Sequence, residues 1–288
     1  MKMRELLDIG KDRLRESKVP DYIVDADILW QYVSGMDRVN MLLMRDEEVP
    51  EEQEDVYLKL IDTRCTRVPL QYITGTQNFC GFEFDVARNV LIPRQDTETL
   101  VETALGLIEK TCNNSTVDGE RILDMCCGSG CIGISIGLFR ENANVILADI
   151  SDDALGLAKR NVEKLCGSNK RFAVCKSDMF SSVSGKFDII VSNPPYIRSD
   201  VIETLMPEVR DYEPRLALDG YADGLYFYRI IIDNARKYIK DGCYVVFEIG
   251  NDQAEDVQHL FVDSGYDDVR IVKDLCHNDR VVYGRYAG

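Results

Sequence analysis

Apolar positions recur at helical spacing up to about residue 75 and come in short strand-length runs after residue 94. In "MRELLDIGKDRLRES", Leu6, Leu7, Ile9 and Leu14 fall near one helical face, with charges opposite. Pro20 opens a second helical segment, "DYIVDADILWQYVSG", which Gly35 should stop. A short helix follows over 38–44. "PEEQEDVYLKLIDTRC" begins with Pro50 and early glutamates, which suit a helix N-terminus. The acidic run from Asp46 to Asp55 therefore reads as a solvated loop and helix start. Together these segments predict a small helical bundle over residues 1–75.

Between 76 and 93 the pattern changes. "FEFDV" and "NVLIP" are β-like runs separated by "ARN", which predicts a β-hairpin linker. From 94 to 288 strands and amphipathic helices alternate. "RILDMCC", "NVILADI", "RFAVCKSD", "FDIIVSN" and "CYVVFEIG" are the strands; "DDALGLAKRNVEKLC" and "GLYFYRIIIDNARKYIK" are helices. This is the pattern of an α/β domain with a mostly parallel sheet covered on both faces. The final runs, "VRIVKD" and "RVVYGRY", are joined by a short turn and should pair antiparallel on that sheet.

Composition narrows the function. Hydrophobic residues make up 45% of the 288, enough for a sizeable core. No run reaches a membrane span, and the N-terminus lacks the apolar centre of a signal peptide, so a cytoplasmic protein is expected. Ten cysteines are scattered along the chain. Cys126, Cys127 and Cys131 cluster, but only His259 and His277 exist and no second cysteine pair has ligand spacing, so no metal is expected. The net charge is −16, with an acidic excess in both parts of the chain. That disfavours a phosphate-backbone partner.

"ILDMCCGSGCIGISI" reads as a strand, an acidic residue, a Gly-x-Gly turn and an apolar helix. Gly128 and Gly130 allow a tight turn and close approach of a ligand to the helix N-terminus. Asp149 ends the next strand, where a carboxylate can take ribose hydroxyls. Gly128, Gly130 and Gly133 also satisfy a dinucleotide fingerprint. Asp124 tips the balance towards S-adenosylmethionine, since a carboxylate there repels a pyrophosphate and suits an ammonium. Asp178 ends a further strand, placed for an adenine amino group or for capping a helix.

"NPPY" puts Asn193 at the carboxyl end of a strand, the edge at which open α/β sheets bind ligands. Pro195 holds Pro194 extended, which aims the Pro194 carbonyl. That carbonyl and the Asn193 side-chain oxygen make two acceptors suited to a planar NH2. Such a pair orients a poorly nucleophilic nitrogen towards a methyl donor, and Tyr196 would supply a flat wall.

"NPPY" with the Asp-x-x-x-Gly-x-Gly turn is similar to the amino-group methyltransferases. The wider set "PLQYITG", "LIPRQDTE", "NPPYI", "EPRLAL", "DGL" and "NDRVV" resembles the HemK/PrmC family, the release factor glutamine methyltransferases, over nearly the whole chain. The resemblance implies a Rossmann-like methyltransferase fold that uses S-adenosylmethionine to methylate the glutamine of the Gly-Gly-Gln loop in peptide chain release factors, with the N-terminal bundle recognising the factor. It implies that Cys126, Cys127, Gly128, Ser129 and Gly130 meet the methionine end of the cofactor. Asp178 and Met179 would border the adenine, and Asn193, Pro194, Pro195 and Tyr196 would hold the glutamine. Arg94 to Glu98 would help close the pocket. The family often has glycine where this chain has Cys126, so a positive φ there would strain the cysteine. Methylation of a nucleic-acid amino group or of a ribosomal protein glutamine remains as an alternative, and so does a non-catalytic binding module. A monomer without direct nucleic-acid or membrane contact is expected.

Overall fold

The computed structural model describes residues 1–111 and 119–288. The chain forms two compact units, residues 1–76 with 206–212, and residues 77–205 with 213–288.

The first unit packs helices Met3–Glu16, Tyr22–Ser34, Arg38–Leu43, Glu51–Cys65 and Leu70–Thr74 around Leu6, Leu14, Leu29, Trp30, Tyr57 and Ile61. Gly35, at φ 69°, ends the second helix in the left-handed conformation that glycine adopts without cost. On the first helix Ile9 is only half-buried. The neighbouring Gly10 takes the inner position, because an added Cβ there would strike the Tyr57 ring. Residues 206–212, which the sequence pattern leaves inside the α/β region, belong to this unit through charge. Glu208 receives Arg64 at 3.1 Å and Arg67 at 2.5 Å, and Arg64 also pairs with buried Asp25 at 2.8 Å.

A two-stranded hairpin, β1 (Thr76–Phe79) and β2 (Phe82–Asp85), begins at the unit boundary and lies, from Gln77 on, in the second unit. Cys80 and Gly81 turn it, both at positive φ as a two-residue hairpin loop requires. Two expectations are corrected here. The partner of "FEFD" is "TQNF" rather than "NVLIP", since Asn89 turns at φ 68° and Pro93 cannot donate to a ladder. Nor is the hairpin a linker, because Phe79 and Phe84 are buried in the unit's main core.

Seven further strands form one sheet: β3 (Arg121–Met125), β4 (Asn144–Asp149), β5 (Phe172–Lys176), β6 (Phe187–Ser192), β7 (Ile239–Glu248), β8 (Tyr266–Lys273) and β9 (Asp279–Tyr286). Their order is β5-β4-β3-β6-β7-β9-β8. The first five are parallel, and β9 runs antiparallel to both neighbours. Alternate residues bury on opposite faces, as with Ile122 and Leu123, Ile189 and Ile190, Val245 and Val246. Helices 98–111, 131–139 and 152–166 cover one face, and 226–235 and 254–263 the other. Strand order reverses between β3 and β6, so their carboxyl ends flank the crevice where such sheets bind ligands. No helix among the described residues is long and apolar enough to cross a membrane.

Candidate active site

A cavity of about 320 Å³ lies at this crevice. The turn after β3 shapes one wall. Cys127 donates its N–H to the Ala148 carbonyl at 3.0 Å, and Gly128 donates to Asp149 Oδ2 at 2.9 Å. Asp149 Oδ1 accepts from the Ser151 N–H at 2.9 Å, so the carboxylate is fixed at the end of β4 with further lone pairs to offer. Burial raises its pKa, against the pull of these N–H groups. Gly128 has φ 55°, and a Cβ there would meet nothing closer than Val90 at 4.0 Å, so bare backbone faces the cavity.

Cys126, Cys127, Gly128, Ser129, Asp149, Asp178, Met179, Asn193 and Pro195 all line this one cavity. Four expected residues do not. Gly130 caps helix 131–139 at φ 80°. Asp124 is fully buried beneath the turn and accepts the Gly133 N–H at 2.8 Å. A Cβ on Gly133 would stand 2.9 Å from that of Asp124, so the third glycine serves close strand–helix packing. Asp124 thus positions the turn rather than facing a ligand. Burial pushes its pKa to about 7, against the Gly133 N–H and with repulsion from Asp149. Pro194 is buried outside the lining, and Tyr196 turns its hydroxyl to Glu248 Oε1 at 3.3 Å instead of forming a wall. The Asp178 carboxylate is exposed to the cavity and caps no helix.

Cys126 has φ 59°, so the strain that the missing glycine raised is present. Burial raises the pKa of the Cys126, Cys127 and Cys131 thiols, which favours their protonated form.

The loop after β6 is clamped from several sides. Gln253 donates to the Tyr196 carbonyl at 3.0 Å, and the Ile197 backbone bonds Leu218 and Gly220. A Cβ on Gly220 would come within 2.8 Å of the Tyr196 backbone. Yet the Asn193 side chain and the Pro194 carbonyl make no hydrogen bond among the described residues.

Segment 94–98 plays several parts. Arg94 and Thr97 line the cavity, and Arg94 pairs with buried Glu213. Asp96 pairs with Arg280 at 3.2 Å, and Glu98 accepts the Cys80 N–H at 2.8 Å. Sequence reasoning missed Glu248 and Gln253 behind the loop, and Leu216, Tyr221, Tyr226 and Phe227 at the cavity. Glu248 ends β7, so the strand-end rule that selected Asp149 would have found it. The aromatic residues carry no comparable signal.

A family model described as the PrmC N-terminal domain matches residues 5–75, and the methyltransferase small domain model matches 97–208. The release factor glutamine methyltransferase of Clostridium botulinum is 41% identical over 288 residues, covering 99% of each chain. That of Clostridium acetobutylicum is 39% identical, covering 100% of each. The chain belongs to the release factor glutamine methyltransferase family. A methyltransferase structure from Pyrococcus furiosus, 16% identical, superposes with TM-score 0.51 over 72% of this chain and 90% of its own, which supports the fold. The Cys126 position is where this family member pays in backbone strain.

Two outcomes follow. Cys126→Gly should be more stable than Cys126→Ala by about 1 kcal/mol in urea unfolding, reversing the usual order, because only glycine is unstrained at this φ. The second concerns pH. Burial raises Glu248 to about 6 from its ordinary 4.5, against Thr97, Arg280 and Tyr196. Its protonation therefore contributes stability that is full below pH 4.5 and lost as pH rises through 6. Unfolding free energy measured against pH should show Glu248→Gln without that decline, a difference of roughly 2 kcal/mol.

Proposed function

We propose that this protein methylates the side-chain amide nitrogen of the glutamine in the Gly-Gly-Gln loop of peptide chain release factors, with S-adenosylmethionine as donor. Asn193 carries the reading. In a loop held through Tyr196 and Ile197, Asn193 lines the cavity with its amide unpartnered among the described residues, and the carbonyl of the next residue, Pro194, which lies outside the lining, is likewise unpartnered. An acceptor at a ligand crevice that no protein donor takes up is open to a donor from the ligand. A primary amide NH2 has the two protons that such a pair requires.

The cavity suits the cofactor. Asp149 offers acceptors for ribose hydroxyls, Asp178 and Met179 border the adenine position, and the turn at 126–130 presents bare backbone to the methionine end. When bound, S-adenosylmethionine supplies an electrophilic methyl on a sulfonium. Asn193 and Pro194 hold both amide protons, turn the nitrogen lone pair towards that methyl, and stabilise positive charge as it develops on nitrogen. One of those protons leaves once the methyl has arrived, so no strong base is needed. Glu248 and Gln253 keep the loop in place from behind.

The N-terminal unit, with its match to the PrmC N-terminal domain, serves recognition of the factor. The charge of −16 supports a protein substrate over a polyanion. Cytoplasmic action as a monomer completes the reading.

Asn193→Ala should leave the fold intact and slow single-turnover methyl transfer to a release factor by about 10²-fold or more. Near-normal transfer in that variant would sink the assignment.

A further inference from the structure

Three aromatic rings at the mouth of the cavity have no part in the chemistry described above. Tyr221, Tyr226 and Phe227 all line it, with ring centroids 4.4 Å apart for Tyr221 and Tyr226 and 5.1 Å for Tyr226 and Phe227. Tyr221 and Tyr226 are 51% and 43% exposed, and Leu216, which also lines the cavity, is 58% exposed. An apolar cluster of this kind beside a binding crevice marks an interaction site.

Tyr221 also sits at φ 68°, an outlier for a bulky side chain. Its conformation is held by Asp219, whose Oδ1 accepts both the Tyr221 N–H at 2.9 Å and the Ser199 hydroxyl at 2.6 Å. The Ser199 N–H donates in turn to the Tyr221 carbonyl at 3.0 Å. Ser199 belongs to the segment that leaves Asn193, so the strained residue is tied to the amide-binding end of the cavity. Strain of this kind persists where the surroundings over-determine it, and it clusters at ligand clamps.

We infer that Tyr221 and Tyr226 form a two-ring platform, its faces tilted 56° apart, against which the substrate backbone flanking the target glutamine packs, selecting for residues without bulky side chains. The inference rests on the glutamine reading above. An extended glutamine side chain holds its amide nitrogen roughly 5 Å from its own backbone, from bonds of about 1.5 Å. With the amide on Asn193, that backbone is placed in the cavity whose lining Asn193 shares with Tyr221 and Tyr226. The charges there are already paired, Asp219 with Arg215 at 3.2 Å, Arg215 also with Glu203 at 3.6 Å, and Asp223 with Arg229. Two rings tilted in this way leave little room for a side chain between them, which favours glycine beside the glutamine.

Tyr221→Gly keeps the positive φ without strain, and Tyr226→Ala removes the second ring. Steady-state transfer to a purified peptide chain release factor, with thermal unfolding and calorimetric S-adenosylmethionine affinity in parallel, tests the platform. Each variant should raise KM for the factor about tenfold, with a much smaller change in kcat and unchanged cofactor affinity. An unchanged KM in both folded variants overturns the inference. So does a loss of cofactor affinity that tracks the rise in KM, which would assign the rings to the adenine. No transfer by the unaltered protein would remove the glutamine reading and the platform with it.

Discussion

The register of β3 against β6 is the constraint on which the site depends. Met125 pairs with Ser192 across the two strands, and the Ser192 hydroxyl donates to the Met125 carbonyl at 2.6 Å in a fully buried position. The next residues, Cys126 and Asn193, therefore leave the sheet side by side at the point where strand order reverses. A slip of one residue would send every side chain of either strand to the opposite face and separate the glycine turn from Asn193. Burial of β6 on both faces makes such a slip costly, since all six residues of the strand are buried.

Around that junction, segments far apart in sequence are held by charge. Arg94 meets Glu213, Asp96 meets Arg280, and Arg280 also meets buried Asp274 at 3.1 Å. These pairs explain in physical terms why "PRQDTE", "EPRLAL" and "NDRVV" occur together in one chain: each supplies half of a contact another needs. The same region carries unsatisfied buried carboxylate atoms, Asp124 Oδ1, Glu213 Oε2 and Glu248 Oε2. With the positive φ at Cys126 and Tyr221, they mark a site that gives up stability for a fixed geometry.

Much of this was legible in the sequence because it rests on local rules. Strand-length apolar runs ending in Asp149 or Asn193 locate the binding edge, since side chains at strand ends must face it. The Gly-x-Gly turn needs only backbone geometry to be read. What escaped depends on tertiary partners. Asp124 looks like a ligand group in sequence, and only its burial beneath Gly133 shows that it supports the turn. Tyr196 looks like a wall, but Glu248, at the end of another strand, draws its hydroxyl away. "NVLIP" has the composition of a strand, yet it lines the cavity as a loop because Asn89 and Pro93 prevent pairing. Residues 206–212 sit in the other unit for the sake of Arg64 and Arg67, which no local pattern encodes.

The central claim is that the cavity accepts a glutamine side-chain amide. The most direct measurement is labelled methyl transfer from S-adenosylmethionine to a purified release factor and to a variant with its loop glutamine replaced, with the modified residue located by mass spectrometry. The account predicts a single methyl on that glutamine in the natural factor and none in the variant. Equal labelling of both factors, or labelling of nucleic acid in place of the factor, would contradict it.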